Sequence, residues 1–252
     1  MKITQTEVIL ELTKKLSILF GPKASKGIEV NLKSDNTIVT EIDLFVSTLL
    51  KEKLKKHPTY TNYNFFSEEE FDQLIFPSAI LDPIDGTREL AKGRAECAVS
   101  LALMKSPELS DPENYGWLYN PFSGFNLDSD TPFVASNNKS IQKILGMVSR
   151  SEFEKGYFKD FIDLDPKIEI TPRGSIAFKL GLLASGGCDF VLSLSPKNIW
   201  DIAAGSVLCA QRGIKMYQNG VEITRLDQVH IKGILLWAPE DTAHEVWAKI
   251  QK

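Results

Sequence analysis

Apolar positions recur at two different periods along this chain, and each period predicts its own kind of element. Val8, Ile9, Leu12, Leu16 and Leu19 are three and four residues apart, so the chain is expected to open with an amphipathic helix. A polar, turn-rich stretch ending in TEID follows. Ile42, Phe45, Val46, Leu49, Leu50 and Leu54 then mark a second helical face, which Pro58 ends. The lysines at 51, 53, 55 and 56 crowd its last turns, where the helix dipole favours cations.

Shorter apolar runs bounded by turn residues predict strands. YNFFSEEE and IFPSAILD both read as strands that end in acid. ECAVSLALM and YGWLYNPF continue the series, and FSGF marks a hairpin. Beyond residue 133 the elements alternate. A strand is expected at 143–149, a helix near 152–162 and a strand at 167–171. SIAFKLGLLA reads as a helix closed by Gly186 or Gly187, CDFVLSL as a strand, and IWDIAAGSVLCAQ as a helix closed by Gly213. Asn219-Gly220 predicts a tight hairpin, GILLWAP a strand, and the chain ends in a helix from about 241. The expected class is α+β passing into α/β. Residues 1–132 form a mainly antiparallel half and 133–252 an alternating half.

Composition narrows the function. With 29 basic and 33 acidic residues the chain is mildly acidic, which argues against a binder of nucleic-acid polymers. Three scattered cysteines without a C-x-x-C pair support neither a disulfide framework nor a zinc site, and a reducing cytoplasm fits them. The first twenty residues carry Glu7, Glu11, Lys14 and Lys15, so a signal peptide is not expected. Stable membrane insertion is not expected either.

The chemistry gathers in AILDPIDGTREL, residues 79–90. An apolar run stopping at Asp82 places that residue at a strand end. Asp85-Gly86-Thr87 reads as a turn feeding a helix. Both carboxylates then face one region, with backbone N–H groups beside them. Glu68-Glu69-Glu70 closes another strand, and Asp201 follows Trp200 at a helix mouth. Each signal alone is weak: a run of acids is usually a solvated edge, Asp-Gly usually a turn, and an acid at a helix start usually serves the dipole. Together, several carboxylates at element ends suit a hard cation such as magnesium.

These residues carry a resemblance. KSDNTIVTEID at 33–43, SEEE at 67–70, DPIDGT at 82–87, Gly174-Ser175 and WDIAAG at 200–205, in that order, resemble the inositol monophosphatase superfamily. Its members are magnesium-dependent, lithium-sensitive phosphomonoesterases. The resemblance covers nearly the whole chain. It implies a layered αβαβα sandwich, a small phosphorylated metabolite as substrate, two to three Mg2+ ions and, as in many relatives, a homodimer. Glu68, Asp82 and the carbonyl of Ile84 would hold one ion. Asp82, Asp85 and Asp201 would hold a second, and a third would lean on Glu68. Asp43 and Thr87 would orient and deprotonate the attacking water, with Glu69 in support. The N–H groups of Gly86 and Thr87 would grip phosphate, with Arg88, Gly174 and Ser175 nearby. Lys33 would stiffen the active-site loop or offset its charge. The Asp-x-Asp-Gly-Thr pattern of haloacid-dehalogenase-type phosphatases fails here, because Pro83 stands where the nucleophile belongs.

The flanks of the motifs bear on substrate. Arg88-Glu89 after Gly-Thr, and Asn198-Ile199 before Trp200, resemble bacterial 3'(2'),5'-bisphosphate nucleotidases. Leu194 stands where inositol enzymes carry a glutamate that binds a ring hydroxyl. VSRSE at 148–152 departs from the nucleotidase pattern, with Glu152 in place of a histidine. Arg88 and Arg150 are candidates for a second phosphate. Hydrolysis of adenosine 3',5'-bisphosphate is the favoured expectation, with an inositol or other sugar phosphatase as the alternative. A non-catalytic regulatory relative is a further alternative, against which the full set of acidic residues stands.

Overall fold

The computed structural model describes residues 2–20, 30–32, 38–133, 143–159 and 167–250. The first helix, α1, runs Lys2–Phe20 and packs on α2, Glu41–Lys56. Between them lies a ribbon of β1 (Val30–Leu32) and β2 (Ile38–Thr40), paired antiparallel. Lys33 lies outside the described residues.

A five-stranded sheet follows, built from β3 (Asn64–Ser67), β4 (Ser78–Asp85), β5 (Ala98–Met104), β6 (Tyr115–Tyr119) and β7 (Asn126–Asp128), in that spatial order. The β3–β4 pair is parallel and the rest antiparallel. Side chains alternate across it as a pleat requires. Ala79, Leu81, Val99, Leu101 and Leu103 face α1 and α2, beside Val8, Leu12, Ile42, Val46 and Leu50. Ile80, Ala98, Ala102 and Met104 face the other way, into the centre.

The second sheet holds β8 (Ile144–Ser149), β9 (Ile168–Arg173), β10 (Phe190–Ser193), β12 (Lys215–Gln218), β13 (Val221–Ile223) and β15 (Leu235–Ala238), in the order β13-β12-β15-β10-β8-β9. β8, β9 and β10 are mutually parallel; the others pair antiparallel. A small ribbon pairs β11 (Lys197–Asn198) with β14 (His230–Ile231). The short helices α3 (Thr87–Ala91) and α4 (Arg150–Glu154) each follow a strand directly. Two helices fill the space between the sheets, α5 (Ile176–Ala184) and α6 (Ile199–Ala210). Both are apolar nearly all round, which suits a helix buried on every side. Beyond the second sheet, α7 (Glu240–Ile250) covers its outer face through Ala243 and Val246. The layers are therefore helix, sheet, helix, sheet, helix, as the resemblance implies. Trp117, Trp237 and Phe66 are fully buried in them; sheltering side chains of this kind contributes about 1.5–3 kcal/mol each.

Two boundaries differ from expectation. Within the span expected to be helical, 152–162, the described residues hold the end of α4, turns at 155–158 where Gly156 takes φ +78°, and a helical Lys159; 160–162 lie outside the described residues. IFPSAILD does not pair from Ile75: β4 begins at Ser78 and continues through Pro83 to Asp85. No helix among the described residues is long and apolar enough to cross a membrane.

Candidate active site

The strand β4 explains how two aspartates three residues apart come to share a face. In a regular pleat that spacing points them to opposite sides. Here the register slips: Asp82 sits opposite Ser100, but Asp85 sits opposite Ala98, so β4 carries one extra residue against β5. Such a bulge re-aims the side chains after it. Pro83 suits it, having no N–H to give the ladder. Both carboxylates therefore point to the central layer, where Asp201 waits in the first turn of α6. Carboxylate oxygens of Asp82, Asp85 and Asp201 lie within 4.8 Å of one another.

Each aspartate is held from behind. Ser175 Oγ and the Ala177 N–H each donate to Asp85 Oδ2 at 2.6 Å. Ser175 is also the N-cap of α5, accepting from the Phe178 N–H at 3.0 Å. The Asn198 N–H donates to Asp201 Oδ2 at 2.8 Å within a capping box. Asp82 is 1 % exposed, and among the described residues its Oδ1 has no hydrogen-bond partner. A buried carboxylate oxygen without a donor is costly unless a cation meets it. The donor set is all oxygen, which suits magnesium.

The electrostatics agree. Burial, then the charges of Glu68, Asp85, Asp201 and Asp43, push the Asp82 carboxyl well above its usual range. Burial, then Asp85, push Asp201 up to about 7. Metal-free protein should therefore lose stability as pH rises. The folded pKa lies above the unfolded one, so the stabilisation is complete below about 3.8 and lost as pH climbs through about 7. Chelator-treated protein is expected to melt several degrees lower at pH 7.5 than at pH 5, and scanning calorimetry across that range checks this. A melting temperature that climbs steadily from pH 5 to 7.5 would show that these carboxylates do not repel one another.

A cavity of about 370 Å³ opens over the aspartates. Glu68, Asp82, Ile84, Asp85, Gly86, Thr87, Arg88, Gly174, Ser175 and Asp201 all line it, so most of the residues expected from sequence meet here. Asp43 does not line it, but it is buried on α2 near enough for its charge to raise Asp82. Glu69 does not line it either; its N–H contacts Ser67 Oγ at 3.4 Å. Thr87 Oγ1 donates to the Ile84 carbonyl at 2.9 Å, which ties the strand end to α3. Gly86 has φ +98°, and a Cβ there would lie 2.6 Å from the Glu96 carbonyl oxygen, so only glycine fits.

Cations share the lining: Arg88, Lys92, Arg150, Arg173, Lys179 and Lys197. Arg150 does not stand free for an anion as the sequence suggests. Its Nη2 lies 2.7 Å from both carboxylate oxygens of Glu96, which also accepts from Arg173 Nη1 at 3.1 Å and from the Gly174 N–H at 2.7 Å. The sequence reading missed Lys179 and Lys197, which do face the cavity. Lys179 is 3 % exposed, and among the described residues its Nζ donates only to the carbonyls of Arg173 and Gly174, at 3.1 and 3.5 Å. Burial lowers its pKa to about 8, partly offset by Asp85. The signal was a single lysine inside the apolar run SIAFKLGLLA, a position where a charge needs a reason.

The profile of the inositol monophosphatase family matches residues 3–220. The chain is 26 % identical over 200 residues to a 3'(2'),5'-bisphosphate nucleotidase CysQ of Aggregatibacter actinomycetemcomitans, covering 75 % of this chain and 74 % of that one. It is also 26 % identical over 212 residues to inositol monophosphatase 1 of Solanum lycopersicum, covering 72 % of each. Among solved structures, the Thermotoga maritima IMPase matches all of this chain and 97 % of its own, with a TM-score of 0.74 at 21 % identity.

Proposed function

The chain belongs to the inositol monophosphatase family and is a phosphatase; from that premise we propose that it hydrolyses a 3'(2'),5'-bisphosphate nucleotide, releasing one phosphate from adenosine 3',5'-bisphosphate to leave AMP. The observation that carries this reading is the mixed charge of the cavity lining, where the carboxylates that can hold a cation are joined by a buried and a half-buried lysine, Lys179 and Lys197. Such a site suits a substrate with two anionic groups. The CysQ similarity supports the same reading.

In this proposal Glu68, Asp82 and the Ile84 carbonyl would hold one magnesium ion. Asp82, Asp85 and Asp201 would hold a second, and a third would lean on Glu68. Magnesium held there would offset charge on the phosphoryl oxygens and make water a stronger nucleophile. The N–H groups of Gly86 and Thr87 orient the scissile phosphate from the opening turn of α3. Gly174 and Ser175 close the same corner. The Thr87 hydroxyl spends its proton on Ile84, so its lone pairs are left to accept from the attacking water. Asp43 is the base that receives the proton the water gives up, with Glu69 supporting the acidic shell. The water oxygen bonds to phosphorus as the phosphorus–ester bond breaks. The ribose oxygen leaves and is protonated, giving a hydroxyl and inorganic phosphate. Lys179 and Lys197 receive the second phosphate.

Among the described residues neither lysine is ion-paired, so both charges are available. Glu96, by contrast, neutralises Arg150 and Arg173. Leu194 packs against the core of the second sheet and does not line the cavity, so this position supplies no acceptor for a polyol. Adenosine 3',5'-bisphosphate is expected to be hydrolysed with a kcat/KM at least about tenfold above that of inositol 1-phosphate, since contacts to the second phosphate persist in the transition state. Free-phosphate release at one magnesium concentration measures both. A preference for inositol 1-phosphate would overturn the nucleotide assignment and leave the metal site standing.

A further inference from the structure

Glu152 stands at the end of VSRSE, in α4, and is 3 % exposed. Its carboxylate makes no salt bridge within the described residues. It accepts main-chain donors instead: the Leu194 N–H reaches Oε2 at 3.0 Å and the Ser195 N–H reaches Oε1 at 2.9 Å. The Ser193 hydroxyl lies 3.4 Å from Oε1 and 3.2 Å from the Ser195 carbonyl oxygen. That same carbonyl accepts from Lys197 Nζ at 3.2 Å, and the neighbouring Pro196 carbonyl accepts at 3.3 Å. The turn clamped by Glu152 thus joins β10 to the segment that carries Lys197 into the cavity wall.

We propose that Glu152 is a positioning residue for substrate specificity: through Ser195 it fixes the turn that presents Lys197 to the second anionic group of the substrate. The inference rests on the reading of the cavity given above, in which its lysines receive a second anionic group. A carboxylate is the one side chain of this length that accepts on both oxygens. Two amide donors aimed at separate oxygens need that property. A glutamine offers one oxygen and one NH2, so one amide must face a donor and the turn must shift. The turn runs through Lys197 into Asn198, whose N–H holds Asp201 Oδ2 at 2.8 Å. Glu152 therefore sets recognition of the second phosphate through Lys197, with the smaller effect on the chemical step.

The test uses the whole protein with magnesium. Glu152→Gln is expected to raise KM for adenosine 3',5'-bisphosphate roughly tenfold, the effect of one lost charged hydrogen bond, with kcat within about twofold. KM for phenyl phosphate, which has no second anion, should not move. Lys197→Met should also raise KM for adenosine 3',5'-bisphosphate, and the double variant should be no worse than Lys197→Met alone. Equal effects on both substrates, or additive effects of the two substitutions, would overturn the proposal. A second readout does not need turnover. Amide hydrogen exchange at Leu194 and Ser195 should be slow in the wild type and faster in Glu152→Gln. Fast exchange at both positions in the wild type would overturn the clamp even if the variant failed to fold. Slow exchange with no phosphate released from any substrate would instead overturn the functional reading of the cavity, and with it the specificity role of Glu152.

Discussion

Asp85→Asn is expected to lower kcat by at least about 100-fold while the protein stays folded. One oxygen of Asp85 is committed to Ser175 Oγ and the Ala177 N–H, both at 2.6 Å. An asparagine must keep its carbonyl oxygen there to satisfy the amide. Its NH2 group then points at Asp82 and Asp201, where the carboxylate oxygen stood. A donor in that place repels a cation instead of binding it. Metal-centred charge stabilisation is worth several kcal/mol, and each 1.36 kcal/mol is tenfold in rate. Stability should move the other way. The substitution removes one of three crowded carboxylates, so the metal-free variant should melt no lower than metal-free wild type. Turnover at saturating magnesium and melting without metal are the two measurements. A folded variant with wild-type kcat would remove Asp85 from the site.

Chelation is expected to abolish phosphate release, and magnesium to restore it. The unpartnered Asp82 Oδ1 and the raised Asp201 both describe a site built around positive charge. Binding only the folded state, magnesium at about 100 times its Kd should stabilise by about 2.7 kcal/mol, or roughly 5–10 °C for a chain of this size. The stabilisation should be larger at pH 8 than at pH 5. Asp201, pushed up to about 7, carries a proton at the lower pH, and that proton competes with the cation. Thermal shift at the two pH values, beside a phosphate assay, decides both points. Full turnover after exhaustive chelation would be incompatible with the metal site.

Much of this was legible in the chain because the signals are local. Helical spacing in 8–19 and 42–54 marks helices whose apolar stripes pack together in one core. Asn219-Gly220 gave its hairpin, with Gln218 opposite Val221, because positive φ at two successive positions suits few residues. DPIDGT, SEEE and WDIAAG mark their acids because glycine, proline and strand ends confine where such residues can stand. The end of β4 was not legible. Proline usually stops a strand, and only pairing with β5 shows that this one absorbs it as a bulge.

Arg88 and Arg150 look alike in sequence, yet Arg150 is paired with Glu96 and Arg88 is exposed. Nothing near Glu96 in the chain announces three donors arriving from 150, 173 and 174. Lys179 reads as an ordinary helix charge, and Glu152 as a histidine replaced, until burial makes their partners decisive. By itself, then, the sequence determined the elements, the family and the acids that belong together, since periodicity and turn chemistry act between near neighbours. Tertiary structure alone decided which charges are spent on one another and which face the cavity. Those outcomes depend on burial and on distances between residues far apart in the chain, where desolvation and Coulomb energies outweigh any local preference.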